Sequence, residues 1–240
     1  MKKLATFVTA VLLIALVAWA GDPWKTKSFE QWNENDARVI LDQSPFSRTI
    51  SISTHWRPVD TGTDAGTVNT GAGGSGSTQT TAIAGEHGSS SDSDYSFRVA
   101  WYSSQVVRAA MARLEVLRHA KSEAEAQKLF SSKLDDYIVL VQGLNMGPFN
   151  TRPEKDFQGL AYLQLKKSKA RILPTKVEYL RGSDGKVNSV MFYFPRKGAD
   201  GQPTIPADEK GVNFNCPFEK TAIQVYFEPQ KMVAQNGLDM

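Results

Sequence analysis

The sequence contains a single cysteine, Cys216, and three histidines, His55, His87 and His119. A lone cysteine excludes an internal disulfide, so the fold must be stabilised by burial of apolar side chains. The four residues are not spaced as metal ligands are, and we therefore expect neither a metal nor a cofactor. Cys216 lies in a strand-like stretch and is interpreted as a small buried apolar residue.

The apolar run near the N-terminus is short for a membrane span. Residues 1–20 combine Lys2 and Lys3 with an apolar stretch from Leu4 to Ala20 that ends in small residues. This is the pattern of a cleavable secretory signal peptide. An uncleaved membrane anchor is the alternative, and it would need roughly 17–25 apolar residues. We predict export, so that the protein is periplasmic or secreted and keeps no stable membrane span after cleavage.

An excess of charge of one sign is also missing. Without the two lysines of residues 1–20, 26 Lys and Arg residues stand against 25 Asp and Glu residues. A nearly neutral chain lacks the basic surface that characterises nucleic-acid-binding proteins. We therefore expect no nucleic-acid partner.

Residues 59–94 contain no aromatic residue, lysine or arginine, and 21 of them are Gly, Ser or Thr. Such a composition cannot bury enough apolar surface to offset the entropy of ordering, so the segment is predicted to be disordered. Residues 21–58 carry one predicted helix and one predicted strand, which is too little to fold alone. We therefore interpret residues 59–94 as a loop within a single domain that spans residues 21–240, rather than as a linker between two domains.

Helix and strand signals on both sides of this loop predict an α+β fold. Asn33 and the Ser122-to-Glu125 capping box mark helix starts, and period-two alternation marks the strands. The order of elements predicts a mainly antiparallel sheet with two or three helices packed to one side. The predicted helices cover about residues 34–42, 105–121 and 122–134; the predicted strands cover about residues 49–53, 95–103, 137–141, 175–196 (a hairpin), 212–218 and 222–229.

One tripeptide suggests catalysis. Asp60 lies in the stretch Val-Asp-Thr-Gly-Thr, residues 59–63, and aspartic proteases carry an Asp-Thr-Gly motif whose carboxylate activates water. In those proteases the motif ends an apolar strand, whereas here it follows Trp56-Arg57-Pro58. A hydrolase with Asp60 as its candidate catalytic residue is therefore kept as the alternative function.

The densest basic segment of the chain covers residues 166–176. It could bind anionic envelope polymers or lipid headgroups, and a solvated strand or turn accounts for it equally well. Since the sequence shows no clustered catalytic residues, we predict a non-catalytic binding or interaction domain whose partner is an envelope protein or polymer. The candidate binding residues are Lys166, Lys167, Lys169, Arg171 and Lys176.

Several short blocks, spread over most of the chain after residue 20, are similar to uncharacterised exported bacterial proteins, some of which are labelled GWxTD-domain proteins. The resemblance implies an exported single-domain protein and supplies no functional residue; the Gly-Trp-x-Thr-Asp element itself does not occur here. The blocks contain Trp24, Trp32, Asp36, Ala37, Ile40, Leu41, Ser44, Pro45 and Phe46; Phe97, Arg98, Val99, Ser103, Val107, Arg108, Met111, Ala112 and Arg113; Phe192, Phe194, Pro195 and Arg196; and Phe227, Lys231, Met232, Val233, Gly237 and Asp239.

Overall fold

The computed structural model describes residues 21–52 and 95–240. The predicted signal peptide and loop, and with them Asp60, His55 and His87, lie outside these ranges. The helices are α1 (Pro23–Thr26), α2 (Glu34–Gln43), α3 (Gln105–Leu117), α4 (Glu123–Ser131), α5 (Gly147–Asn150) and α6 (Glu154–Leu160). The strands are β1 (Ser47–Ile52), β2 (Tyr95–Trp101), β3 (Asp136–Gly143), β4 (Tyr162–Leu165), β5 (Arg171–Ile172), β6 (Lys176–Arg181), β7 (Val187–Pro195), β8 (Val212–Phe218), β9 (Thr221–Phe227), β10 (Val233–Ala234) and β11 (Gly237–Leu238).

Capping residues define where the longer helices begin. The Asn33 side chain accepts a hydrogen bond from the Asp36 amide at 2.8 Å, and the Asp36 carboxylate accepts one from the Asn33 amide at 3.0 Å. Ser122 and Glu125 form the same reciprocal box at the start of α4. Each box satisfies backbone N–H groups that have no partner within the helix. The predicted starts of α2 and α4 are therefore confirmed.

The strands form two main antiparallel sheets. The five-stranded sheet has the order β1-β2-β3-β7-β6, and the four-stranded sheet has the order β5-β4-β8-β9. Strand β3 is central in the first sheet, and residues 137–141 are buried, as their continuous apolar run predicts. The α+β class and the antiparallel pairing are confirmed. The sequence does not show that the strands divide between two sheets. Alternation indicates which side chains of a strand share a face, but it does not indicate which strands are neighbours.

The two sheets pack face to face through aromatic rings. The Trp101 ring centroid lies 5.2 Å from that of Phe227, and Phe192 lies 5.2 Å from Phe214. Edge-to-face contacts at such distances stabilise a core beyond the area they bury. Cys216 lies in this core, where burial raises the pKa of its thiol. Its predicted role as a buried apolar residue is confirmed.

Three helices form one group, in agreement with the predicted packing. Helix α3 packs against α2 and α4, and α2 also contacts β1. Trp24, Phe29 and Trp32, which precede α2, are buried in the same core. In residues 21–52 and 95–240, no helix has the length and hydropathy needed to cross a bilayer.

Candidate binding surface

The structure divides the basic segment between two sheets. Lys166, Lys167 and Lys169 lie in the turn after β4, and Arg171 begins β5, so these four belong to the four-stranded sheet. Lys176 begins β6 in the other sheet, where its ammonium contacts Glu178 at 2.7 Å. The five predicted binding residues therefore do not form one patch.

Lys167 and Lys169 are also poor candidates individually. The Lys167 ammonium pairs with the Asp208 carboxylate, and this hydrogen bond raises the pKa of Lys167 and lowers that of Asp208. Its charge is thus balanced locally. Lys169 has a left-handed backbone conformation, with φ of 61°, which allows the chain to turn between β4 and β5. Lys166 and Arg171 remain, and both lie against aromatic rings of the same sheet face.

Strand alternation defines the exposed face of the four-stranded sheet. Leu163 of β4, Phe214 of β8 and Val225 of β9 are paired in register and buried in the core. Successive side chains of a strand point to opposite faces, so the residues between them form the outer face. Two rows of paired residues cross this face: Arg171, Gln164, Asn213 and Tyr226 in one, and Tyr162, Asn215 and Gln224 in the other.

Side-chain amides dominate the two rows. Those of Asn213, Asn215 and Gln224 make no hydrogen bond to any residue that the structure describes, and Gln164 has only a long contact of 3.5 Å with the Lys169 carbonyl. Each amide offers two donors and one acceptor oxygen. Asn215 is 7% exposed, so the face presents chiefly the amides of Asn213 and Gln224, which the described part of the fold does not use.

Two cations form cation–π contacts with tyrosine rings at opposite edges of this face. The Arg171 guanidinium carbon lies 4.3 Å from the Tyr162 ring centroid, and the Lys166 ammonium lies 5.4 Å from that of Tyr226. Cation–π contacts at such distances hold a cation in place without neutralising it. We call the whole surface the amide face, and it consists of Tyr162, Gln164, Lys166, Arg171, Asn213, Asn215, Gln224 and Tyr226.

A buried carboxylate fixes the loop beside the amide face. Glu209 is 1% exposed, and its Oε1 atom accepts hydrogen bonds from the backbone amides of Lys167 at 3.2 Å, Lys210 at 3.0 Å and Gly211 at 3.2 Å. These bonds join the turn after β4 to the start of β8. The position of Lys166 thus depends on Glu209, a residue outside the basic segment.

The absence of a side chain at Gly211 positions Tyr226. A Cβ atom on Gly211 would lie 1.9 Å from the Tyr226 hydroxyl oxygen, so the ring lies directly over this glycine. The hydroxyl donates a hydrogen bond to the Lys210 carbonyl at 3.3 Å, and the residue stays 40% exposed. Tyr226 therefore presents its ring at a fixed place on the amide face.

The amide face is composed of amide, tyrosine and cationic side chains. Within residues 21–52 and 95–240 no group of three His, Cys, Asp or Glu side chains is arranged to hold a metal ion. His119 lies just after α3, with φ of 58°, and is exposed. Asp60 lies outside the described residues, so the hydrolase alternative stays a prediction. Comparison of the chain with protein-family models, curated proteins and solved structures finds no match.

The sequence indicated only part of this surface. The charge of the segment 166–176 pointed to Lys166 and Arg171, but the amides and both tyrosines were missed. A signal for them exists in β8 and β9, where Asn213, Asn215, Gln224 and Tyr226 alternate with buried apolar residues. Recognising that these residues share one surface required the order β5-β4-β8-β9, which spacing along the chain does not contain.

Proposed function

We propose that the protein is a non-catalytic binding protein of the cell envelope and that its amide face binds an anionic polysaccharide. The observation that supports this most directly is that the accessible side-chain amides of Asn213 and Gln224 have no hydrogen-bond partners in the described structure and are flanked by two exposed cations. Amides match sugar hydroxyls as both donors and acceptors. A guanidinium matches the carboxylate of an acidic sugar with two parallel hydrogen bonds.

The shape of the surface favours a polymer. Four strands about 4.8 Å apart make an open platform about 14 Å wide. Small molecules are usually bound in concave sites that enclose most of their surface. An extended chain can instead use several weak contacts along a platform, among them the 40% exposed side chain of Tyr226. Export of the chain, which the signal-peptide pattern predicts, would bring it to such polymers.

The test measures binding of residues 21–240 to polygalacturonate by affinity electrophoresis. Dextran serves as the neutral polysaccharide and poly-glutamate as the anionic polymer without sugar. We expect binding to polygalacturonate alone, and a loss of about tenfold to a hundredfold in Arg171→Ala, since hydrogen bonds to charged groups contribute about 1.5–3 kcal/mol. Gln224→Ala tests the amides separately.

Lys176→Ala is the matched control, because Lys176 comes from the same basic segment but lies on the other sheet. It should bind as the unaltered protein does. Equal losses in Arg171→Ala and Lys176→Ala would show that general charge, not the amide face, attracts the polymer. Equal binding of poly-glutamate would exclude sugar recognition.

A further inference from the structure

A cavity of about 390 Å³ lies apart from the amide face. Its walls come from the start of α3, the end of α4, strand β3 and the chain after β11. Cationic side chains and apolar side chains line it together. The residues that matter for its chemistry are Arg108, Phe130, Lys133, Tyr137, Arg196 and Ile205.

Arg108 is a buried cation without a carboxylate partner. Its side chain is on α3, the residue is 5% exposed, and burial lowers the pKa of the guanidinium. One nitrogen, Nη1, donates to the Leu129 carbonyl at 3.2 Å, and Nε is buried with no hydrogen-bond partner among the described residues. A buried guanidinium with unused donors is costly unless an anion pairs with it.

Arg196 brings a second guanidinium to the same cavity. Its Nε donates to the Leu134 carbonyl at 3.0 Å, its Nη2 donates to the main-chain oxygen of Met240 at 2.5 Å, and its guanidinium carbon lies 4.3 Å from the Tyr137 ring centroid. In the described part of the chain, no Asp or Glu side chain forms an ion pair with Arg108 or Arg196. Repulsion by Arg196 also lowers the Arg108 pKa, and attraction by the Asp239 carboxylate, a larger effect, opposes it.

The one carboxylate in the cavity wall is engaged elsewhere. Asp239 accepts hydrogen bonds from the Ser104 hydroxyl at 2.7 Å and from the backbone amides of Gln105 at 2.8 Å and Val106 at 2.9 Å. Both of its oxygens are thus turned to the N-terminus of α3. With Lys133 also on the wall, three cationic side chains and one acidic side chain line the cavity.

We propose that this cavity binds a small monocarboxylate with an apolar body, such as a medium-chain or aromatic acid. The carboxylate pairs with Arg108 and Arg196, whose planar donor groups match its geometry. The apolar body lies against Phe130, Tyr137 and Ile205. The volume is within the range of small-molecule sites, and a mixed apolar and cationic lining is typical of them.

Binding is tested with octanoate, benzoate and phenylacetate, each titrated calorimetrically into residues 21–240. Octanamide, which has the shape of octanoate without its charge, and inorganic phosphate are the comparison ligands. We expect at least one of the three acids to bind with a stoichiometry of one, and octanamide and inorganic phosphate to bind at least tenfold more weakly. No binding by any of the three acids, or tighter binding of phosphate or octanamide, would overturn the proposal.

Arg108→Met tests the site itself. The methionine keeps the apolar stem and removes the charge, so affinity should fall about tenfold to a hundredfold. Removing an unpaired buried charge should leave the melting temperature unchanged or higher, which separates loss of binding from loss of fold. Arg196→Met is the second variant, should Arg108→Met not fold.

The matched control is Arg38→Met. Arg38 is an exposed arginine of α2 that pairs with Glu34, and its removal should leave carboxylate affinity unchanged. Retention of full affinity in both Arg108→Met and Arg196→Met would overturn the proposal. Because the cavity and the amide face share no residue, failure of this site would leave polysaccharide binding unaffected, and the reverse also holds.

Discussion

Replacement of Asp239 by alanine should destabilise the fold, because Asp239 caps a helix that lies more than 130 residues earlier in the chain. The Asp239 carboxylate lies at the N-terminus of α3 and accepts three hydrogen bonds there, from the Ser104 hydroxyl and from the first two backbone amides of the helix. It thereby joins residues separated by more than 130 positions. The first four amides of a helix have no intrahelical partner, and the helix dipole favours an anion at this end.

The magnitude follows from two contributions. Loss of a side-chain cap costs about 0.5–2 kcal/mol, and loss of the favourable charge–dipole contact costs about 0.3–1 kcal/mol. Ser104 still caps the Val107 amide in the variant, so the cost is not that of an uncapped helix. We expect Asp239→Ala to lower the free energy of unfolding by about 1–3 kcal/mol. For a domain of this size the melting temperature should fall by about 3–10 °C.

Urea unfolding followed by circular dichroism measures this change. Asp135→Ala is the matched control, because Asp135 is an exposed carboxylate in the turn before β3. A double-mutant cycle with Ser104→Ala isolates the Ser104–Asp239 contact, for which we expect a coupling free energy of about 0.5–1.5 kcal/mol. If Asp239→Ala were no less stable than Asp135→Ala, the assignment of Asp239 as a cap would be wrong.

Glu209→Ala removes the acceptor of three backbone amides and should lower the unfolding free energy by about 2–4 kcal/mol, whereas Glu209→Gln, which keeps one acceptor oxygen, should lose less in the same urea assay. Gly211→Ala forces the Tyr226 ring to move and should weaken polygalacturonate binding while leaving circular dichroism unchanged; unaltered binding would count against a role for this ring. Burial, together with its hydrogen bond to Glu178, raises the pKa of Tyr193 to about 12. The fold therefore favours the neutral phenol, so the stability that Tyr193 contributes is complete below the unfolded pKa of about 10 and is lost as pH rises through about 12. Burial raises the pKa of Tyr179 as well. Absorbance at 295 nm should therefore show two late-titrating phenols, of which Tyr193→Phe removes one, and a single transition near pH 10 for all seven tyrosines would contradict this.

Much of the fold could be predicted because the local signals are strong. The capping residues located α2 and α4, and alternation located β1, β2, β7, β8 and β9. The segment between β3 and β6 was not predicted. There, α5 and α6 have 4 and 7 residues and β5 has 2, too few for a periodic pattern to appear. Such short elements owe their conformation to tertiary packing, as with Phe149 and Phe157, whose rings contact at 4.8 Å.

Helix α3 shows a related limit of predicting buried residues from their spacing in the sequence. Three- and four-residue spacing predicts a core-facing stripe through Val107, Met111, Leu114 and either Leu117 or Arg118. The structure buries Val107, but it also buries Ala109 and Ala110, and Met111 and Leu114 are half-buried. Small residues allow close approach of α2 and α4, and they carry little hydrophobic signal of their own. The buried face of a helix that packs on two sides is therefore wider than the stripe of large apolar residues in its sequence.

Arg108 illustrates why the cavity could not be found from spacing. The sequence shows that Arg108 lies among apolar residues of α3. The surroundings of its side chain, however, come from three segments that are distant in the chain. The last turn of α4 supplies the Leu129 carbonyl, and the second guanidinium, that of Arg196, directly follows β7. The chain after β11 brings Asp239 to the N-terminus of α3 instead of to Arg108. Because Asp239 is held by α3, the charge of Arg108 is left for a ligand. Ser104→Ala, which removes one of the hydrogen bonds that hold Asp239, should therefore weaken octanoate binding in the calorimetric titration as well as stability, since the loosened Asp239 carboxylate competes with the ligand for Arg108.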